Sequence, residues 1–470
     1  MNTLIAIPTD NSPEAYKILL PLGLLLLFSK VFALLLGKIK IPQVIGYLLA
    51  GLVVGLIYFI PGQNVLTTYT VSDGLSFFSK VAVILIMFSA GIETDIKKVK
   101  SVGIASFFIA LCGVIVPIIL AFLLAFTVDH ITDGVLHIVD ESGKLLMNPI
   151  YTELYYGVIL AATSVSITVA TLKELGKLDT RIGSALVSAA IIDDIMGIIV
   201  LSLVISLGSS SGSNTGSDFA SMIMNALPSS AQSPALSIFF IILFMAIFFG
   251  LTFGLGFFIR RLFNWLGREY PHHIRITILS LACCFLWSYL AEFFNIADIT
   301  GAYMMGLILS STVAHGYIDH RAETTCNYLF APVFFGSIAM SMYQSNFNFA
   351  DKKSVQFMIF GLLWVVVGLI GKVLGSGSVS LLFKFNLSDS SKIGFGMMAR
   401  AEVLIVCAQK GVDAGLVSND IMPFCLILIL VSSFATPIFL KLVFKEDDKK
   451  LERLARKQEE EKSQPEKPQN

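Results

Sequence analysis

Two adjacent acids, Asp193 and Asp194, lie inside the apolar run Ser188–Val204. An ionised carboxylate in hydrocarbon costs about 3 kcal/mol or more unless it is paired or hydrated. Adjacent carboxylates also repel, which tends to keep one of them protonated near neutral pH. Such a pair suits the holding of a proton or a cation partway across a membrane. Three more charges fall well inside apolar runs: Lys372 in Val365–Leu382, and Arg400 and Glu402 in Phe395–Cys407. The signs roughly cancel, which suggests mutual pairing. Arg400 and Glu402 read most simply as a structural ion pair that orients helices, since such networks need not add stability. A structural role explains Asp193, Asp194 and Lys372 less well, because one base needs only one acid.

The segments that must position these charges look breakable. Residues 161–168 read Ala-Ala-Thr163-Ser164-Val-Ser-Ile-Thr168, dense in hydroxyls and β-branched side chains that bond the backbone locally. Residues 394–402 read Gly-Phe-Gly and then Arg400-Ala401-Glu402. A helix broken at either place exposes carbonyls that can coordinate a cation and amides that carry partial positive charge.

Composition fixes the compartment. The chain of 470 residues is 55% hydrophobic and only 14% charged, against about 25% charged in soluble domains. Its net charge is zero, so bulk charge indicates no partner and nothing points to nucleic acid. With roughly 20 residues per span, the expected spans are 15–36, 42–60, 75–95, 102–127, 153–174, 182–208, 234–262, 273–295, 298–314, 327–346, 355–383, 391–411 and 420–444. The fold class expected is therefore an all-α integral membrane protein of about 13 transmembrane helices. The N-terminal segment lacks a basic region and a cleavage site, so it does not read as a cleaved signal peptide. The six cysteines have no metal-type spacing and read as packing residues.

Basic residues cluster in alternate connectors. One set holds Lys38, Lys40, Lys97, Lys98, Lys100, Lys173, Lys177, Arg181, Arg260, Arg261, Arg268, Arg275, Arg321, Lys384, Lys392 and the basic residues of the tail; the other holds little beyond Lys144, Lys352, Lys353 and Lys410. The positive-inside rule then places the N-terminus outside and the C-terminus in the cytoplasm. The segment Gly46–Gly51 echoes Gly301–Gly306, and the two would run in opposite directions. The expected organisation is a first inverted half (1–208), a connector and linker helix (209–272), a second inverted half (273–445) and a charged tail (446–470) that begins at most as a short helix and is otherwise disordered. Ordinary helix packing also uses Gly-x4-Gly spacing.

These residues resemble a known family. Thr163-Ser164, then Leu172-Lys-Glu-Leu-Gly176-Lys-Leu-Asp179, then Ile191-Ile-Asp193-Asp194-Ile-Met-Gly197, is similar to the hallmark of bacterial monovalent cation/proton antiporters. The nearest likeness is to the two-aspartate branch, which holds electrogenic sodium/proton antiporters and glutathione-gated potassium efflux proteins. Phe88–Asp95, Ile299–Ala302, Phe330–Phe335 and Gly371–Gly375 resemble the family too, so the likeness covers residues 13–445. The resemblance implies a homodimer with a dimerisation domain and a mobile core, and two broken helices crossing beside the ion site. It implies that Asp194 carries the ion and proton and that Asp193 pairs with Lys372. Ala401 stands where the family's Arg-Gly-Glu signature has glycine. The tail has no Gly-x-Gly-x-x-Gly, so a gating nucleotide domain is not expected.

The function expected is antiport of a monovalent cation, sodium first, for protons across a bacterial cytoplasmic membrane, in the service of pH homeostasis. The cation would be held by Asp194, Thr163 and Ser164 with carbonyls and water. Potassium/proton antiport without a gating domain is the alternative, and a channel the lesser one. An intramembrane enzyme is disfavoured, because HExxH and GxSxG are absent and the six histidines fall in connectors or at span ends. The tail offers little to a sensor. No cofactor is expected.

Overall fold

The computed structural model describes residues 15–38, 43–60, 69–94, 103–132, 134–137, 145, 148–177, 180–212, 234–271, 273–294, 296–341 and 352–462. The secondary structure is helical: α1 (Leu19–Gly37), α2 (Gln43–Gly55), α3 (Tyr69–Glu93), α4 (Ile104–Ile131), α5 (Pro149–Ile159), α6 (Val165–Glu174), α7 (Arg181–Gly212) and α8 (Pro234–Glu269) come first. They are followed by α9 (Ile274–Phe293), α10 (Asp298–Ser310), α11 (His315–Thr325), α12 (Ala331–Ser341), α13 (Lys352–Leu382), α14 (Leu387–Gly396), α15 (Glu402–Asp413) and α16 (Met422–Lys462). Among the described residues, 8 helices are long and apolar enough to cross a membrane. The protein is a multi-pass membrane protein.

The other expected spans fall on short or interrupted elements. Residues 42–60 form α2 and a 3-10 turn, 298–314 form α10, and 327–346 hold a π turn and α12. Residues 153–174 divide into α5 and α6, and 391–411 into α14 and α15. Short helices are stable here because they are enclosed: most of α10 is buried by its neighbours. At the far end, the backbone of α16 stays helical through Lys462, well beyond the short helix expected after Glu446. None of the six cysteines forms a disulfide.

The helices sort into two packed groups. In one, α4 packs on α13, α5 and α7, while α16 packs on α6, α13, α14 and α15. In the other, α3 packs on α10 and α12, α2 on α1 and α12, and α9 on α10. Contacts between the groups are fewer and centre on α7 with α8 and α10. One of them is a hydroxyl pair, Ser202 Oγ to Thr300 Oγ1, at 2.7 Å.

The glycines of the two similar segments make corresponding contacts. A methyl at Gly46 would strike the backbone of α1 at Ala33, and one at Gly301 that of α9 at Trp287. A methyl at Gly51 would strike Gly336 of α12, and one at Gly306 Phe88 and Gly91 of α3. In each segment the first glycine admits the preceding helix and the second admits a helix from the other half of the sequence. Without Cβ atoms the backbones approach closely, and dispersion then replaces the hydrophobic drive that lipid does not supply.

Candidate functional site

The charged residues converge where the two interrupted helices cross. Residues 160–164 separate α5 from α6, and 397–401 separate α14 from α15. The two breaks bond each other directly: Ser164 N donates to Ala399 O at 2.9 Å, and Thr168 Oγ1 donates to Gly396 O at 2.6 Å. Backbone groups released by breaking a helix need partners inside a bilayer, and here each break supplies them to the other. The polar side chains of α16 complete the arrangement. Ser432 Oγ accepts from Arg400 N at 3.1 Å, and Ser433 Oγ donates to Arg400 O at 3.3 Å.

Arg400 is fully buried. Its Nη1 donates to Ala162 O, at the break after α5, and its Nη2 donates to Gly368 O on α13 at 3.2 Å. The fork of guanidinium donors suits two carbonyls at once. It also places a positive charge near the C-terminal end of α5, where exposed carbonyls leave partial negative charge. The side chain of Glu402, expected as its ion partner, lies outside the described residues.

Helix α7 brings in the acids. Asp193 is completely buried, and so is Lys372 on α13. Lys372 Nζ lies 2.5 Å from Asp193 Oδ1. Thr163 Oγ1 donates to the other oxygen, Oδ2, also at 2.5 Å. Both oxygens of Asp193 are thus engaged. Asp194 follows about 100° around the helix and is half-buried. Tyr303 of α10, from one group of helices, and Cys407 of α15 and Lys372 of α13, from the other, all lie near it. Ser164, next to Thr163, is buried with no hydrogen-bond partner for its hydroxyl among the described residues.

Several contributors had little or no signal in the sequence. α4 passes the Asp193–Lys372 pair at Gly113: a Cβ there would lie 2.5 Å from Ser376 Oγ and 3.3 Å from Asp193 Oδ1. Ser376 is fully buried one turn along from Lys372, and its hydroxyl has no hydrogen-bond partner among the described residues. Gly176, in the Leu-Lys-Glu-Leu-Gly segment, ends α6 at φ +65°, a left-handed C-terminal stop that favours glycine. Asp179, Asp95 and His272 lie outside the described residues. Among the described residues no cluster of three or more His, Cys, Asp or Glu could hold a metal ion; the polar groups gathered at the crossing include hydroxyls, backbone carbonyls and carboxylates. Those are hard oxygen donors of the kind alkali and alkaline-earth cations take.

Comparison with known proteins agrees with this chemistry. Residues 23–446 match the family described as sodium/hydrogen exchanger, transmembrane. The chain is 28% identical to the Na(+)/H(+)-K(+) antiporter GerN of Bacillus cereus, over 92% of this chain and 98% of the relative. It is 28% identical to a Na(+)/H(+) antiporter of Enterococcus hirae, over 86% of this chain and 92% of that protein. It is 25% identical to the K(+)/H(+) antiporter 1 of Saccharomyces cerevisiae, over 94% of this chain and 49% of the yeast protein. The chain belongs to the sodium/hydrogen exchanger family.

Proposed function

We propose that this exchanger carries a monovalent cation, sodium before potassium or lithium, against protons by competition at Asp194. Monovalent cation/proton antiport is the activity that the names of its relatives share; the assignment of the site to Asp194 rests on geometry. The observation that carries it is the unequal treatment of the two acids. Asp193 spends both oxygens on Lys372 and Thr163, whereas Asp194 lies half-buried near both groups of helices, where an ion can arrive. A dehydrated cation needs several oxygens. Asp194, the Ser164 hydroxyl and the remaining lone pair of Thr163, with carbonyls of the crossing and water, supply them. A proton on Asp194 removes the charge that holds the cation, so the two substrates exclude each other.

The group of helices that holds this site then moves against the group containing α3, α10 and α12, exposing the site to each side in turn. The two-group packing supports this reading, and the matched glycine contacts of α2 and α10 support two inverted halves, 1–208 and 273–445. If Lys372 loses its proton when Asp193 joins the cation site, two protons return per cation and exchange is electrogenic. The large apolar side chains exposed on α1 and α8, among them Leu27, Leu34, Phe253 and Phe257, fit lipid or a second copy in a homodimer. We place the protein in a bacterial cytoplasmic membrane with the C-terminus inside.

The test is a proteoliposome pH-dequenching assay across sodium, lithium and potassium, with and without an ionophore that clamps the voltage. Exchange is expected with sodium, and Asp194→Asn should abolish it while the protein stays folded. Cation-driven proton movement retained by purified Asp194→Asn would sink the assignment.

A further inference from the structure

A second set of charges spans the seam between the two groups, away from the crossing. Lys410 Nζ, on α15, lies 2.5 Å from Asp298 Oδ1, on α10. This ion pair joins the group that holds the candidate ion site to the group it would move against. Beside it lies a cavity of about 170 Å³ between the groups. One wall is α3, with Ser76 and Lys80, and α12, with Ser337; the other is α15, with Gln409, Lys410 and Asp413.

Lys80 lies eleven positions into α3, about 16 Å along its axis. Six of those positions lie within the apolar span Gly74–Glu93, where an ammonium is held cheaply when it meets water or a counter-charge. Among the described residues it has neither an ion pair nor a hydrogen bond, and it is exposed towards the cavity. Across the cavity, Asp413 accepts from Gln409 Nε2 at 2.9 Å, which leaves its second oxygen for another donor. Tyr58, in the 3-10 turn that follows α2, also lines the cavity. On α15, Asp413 stands one turn, roughly 5.4 Å, beyond Gln409 towards the end of the helix, and both line the same cavity as Lys80.

A slide of α15 along the seam that separates Lys410 from Asp298 would move Asp413 along the cavity wall that carries Lys80. We propose that the four side chains are a charge-exchange latch: Asp298–Lys410 holds the cavity open, and Lys80–Asp413 closes it. The latch rests on the alternating-access part of the proposed function. It gives each of the two end states one ion pair across the seam, and so keeps either from trapping the transporter. It also gives Lys80, an exposed lysine on the cavity wall, a partner in one of the two end states.

The experiment uses the full chain in proteoliposomes, with cation half-saturation measured separately from each face. Lys80→Gln and Asp413→Asn should each slow turnover about two- to fivefold, the scale of one solvent-accessible ion pair. They should also change the ratio of half-saturation between the faces in the same direction, whereas Lys410→Gln should change it in the opposite direction. The swap Lys80→Asp with Asp413→Lys should recover turnover and ratio. A purely structural role would lower yield and melting temperature and leave the ratio alone. Wild-type ratios in both single variants, or a swap no better than the worse single variant, would overturn the latch. Should the swap misfold, Lys80→Cys with Asp413→Cys provides a second measurement. Its capture by a short thiol crosslinker should depend on the direction of the cation gradient, and gradient-independent capture would overturn the proposal. Exchange retained in Asp194→Asn would instead fault the carrier site, leaving the ratio between faces to judge the latch.

Discussion

Lys372 and Asp193 stand 179 positions apart in sequence and meet at 2.5 Å with both side chains fully buried. The relationship decides how the acid pair divides its labour. One carboxylate is fixed by an ammonium and a threonine hydroxyl, and its neighbour lies half-buried near both groups of helices. Two adjacent acids are tolerable in an apolar helix because Lys372 neutralises Asp193.

Truncating one partner of this pair should cost far more than removing both. Lys372→Ala strands the Asp193 charge beside Asp194, and breaking a buried pair typically costs about 3–5 kcal/mol. Asp193→Asn with Lys372→Gln is expected to recover much of that stability without restoring electrogenic exchange. Melting temperatures of the single and double variants in detergent check the coupling; simple additivity would show that the two side chains act independently.

Competition at a single carboxylate fixes the sign of the pH dependence. As pH falls through the titration of Asp194, protons occupy the site and the cation concentration for half-maximal exchange must rise. At higher pH the affinity should level off once the carboxylate is fully ionised. Half-saturation measured at a series of symmetrical pH values tests this, and a flat profile would argue for separate proton and cation sites.

Gly113→Ala should disturb the site from a helix that carries none of its charges. The new methyl would press on Ser376 Oγ and approach Asp193 Oδ1. Overpacking of this kind costs about 1–3 kcal/mol. The expected result is a lower melting temperature together with weakened exchange. A control change at Gly23, where an added Cβ meets nothing within 4 Å, should leave both unchanged.

Arg400→Lys keeps the charge and loses the fork. One ammonium cannot reproduce the planar pair of donors that reaches Ala162 and Gly368. The protein should still insert, with exchange reduced several-fold and melting lowered by the loss of a charge-assisted hydrogen bond worth about 1.5–3 kcal/mol. Wild-type exchange in Arg400→Lys would mean that the clasp between the two breaks is dispensable.

Residue types and their spacing were enough to identify the solvent, the buried charges and the weak points of two helices. Charges in apolar runs announce themselves, because hydrocarbon tolerates them only with partners, and Asp193, Asp194, Lys372 and Arg400 were all visible for that reason. The breaks were legible as hydroxyl-rich and glycine-containing stretches, because those residues offer the backbone alternatives to the helix. Lys80 could have been found by the same charge criterion, since it lies inside the expected span 75–95. Tertiary structure decided the partners. Arg400 turned to the carbonyls of Ala162 and Gly368, and a backbone acceptor leaves no trace in residue type. The role of Gly113 and the meeting of Lys410 with Asp298 depend on which helices lie side by side. Asp193 and Asp194 are chemically identical and adjacent, and only the angular step of the helix decides which of them bonds the lysine.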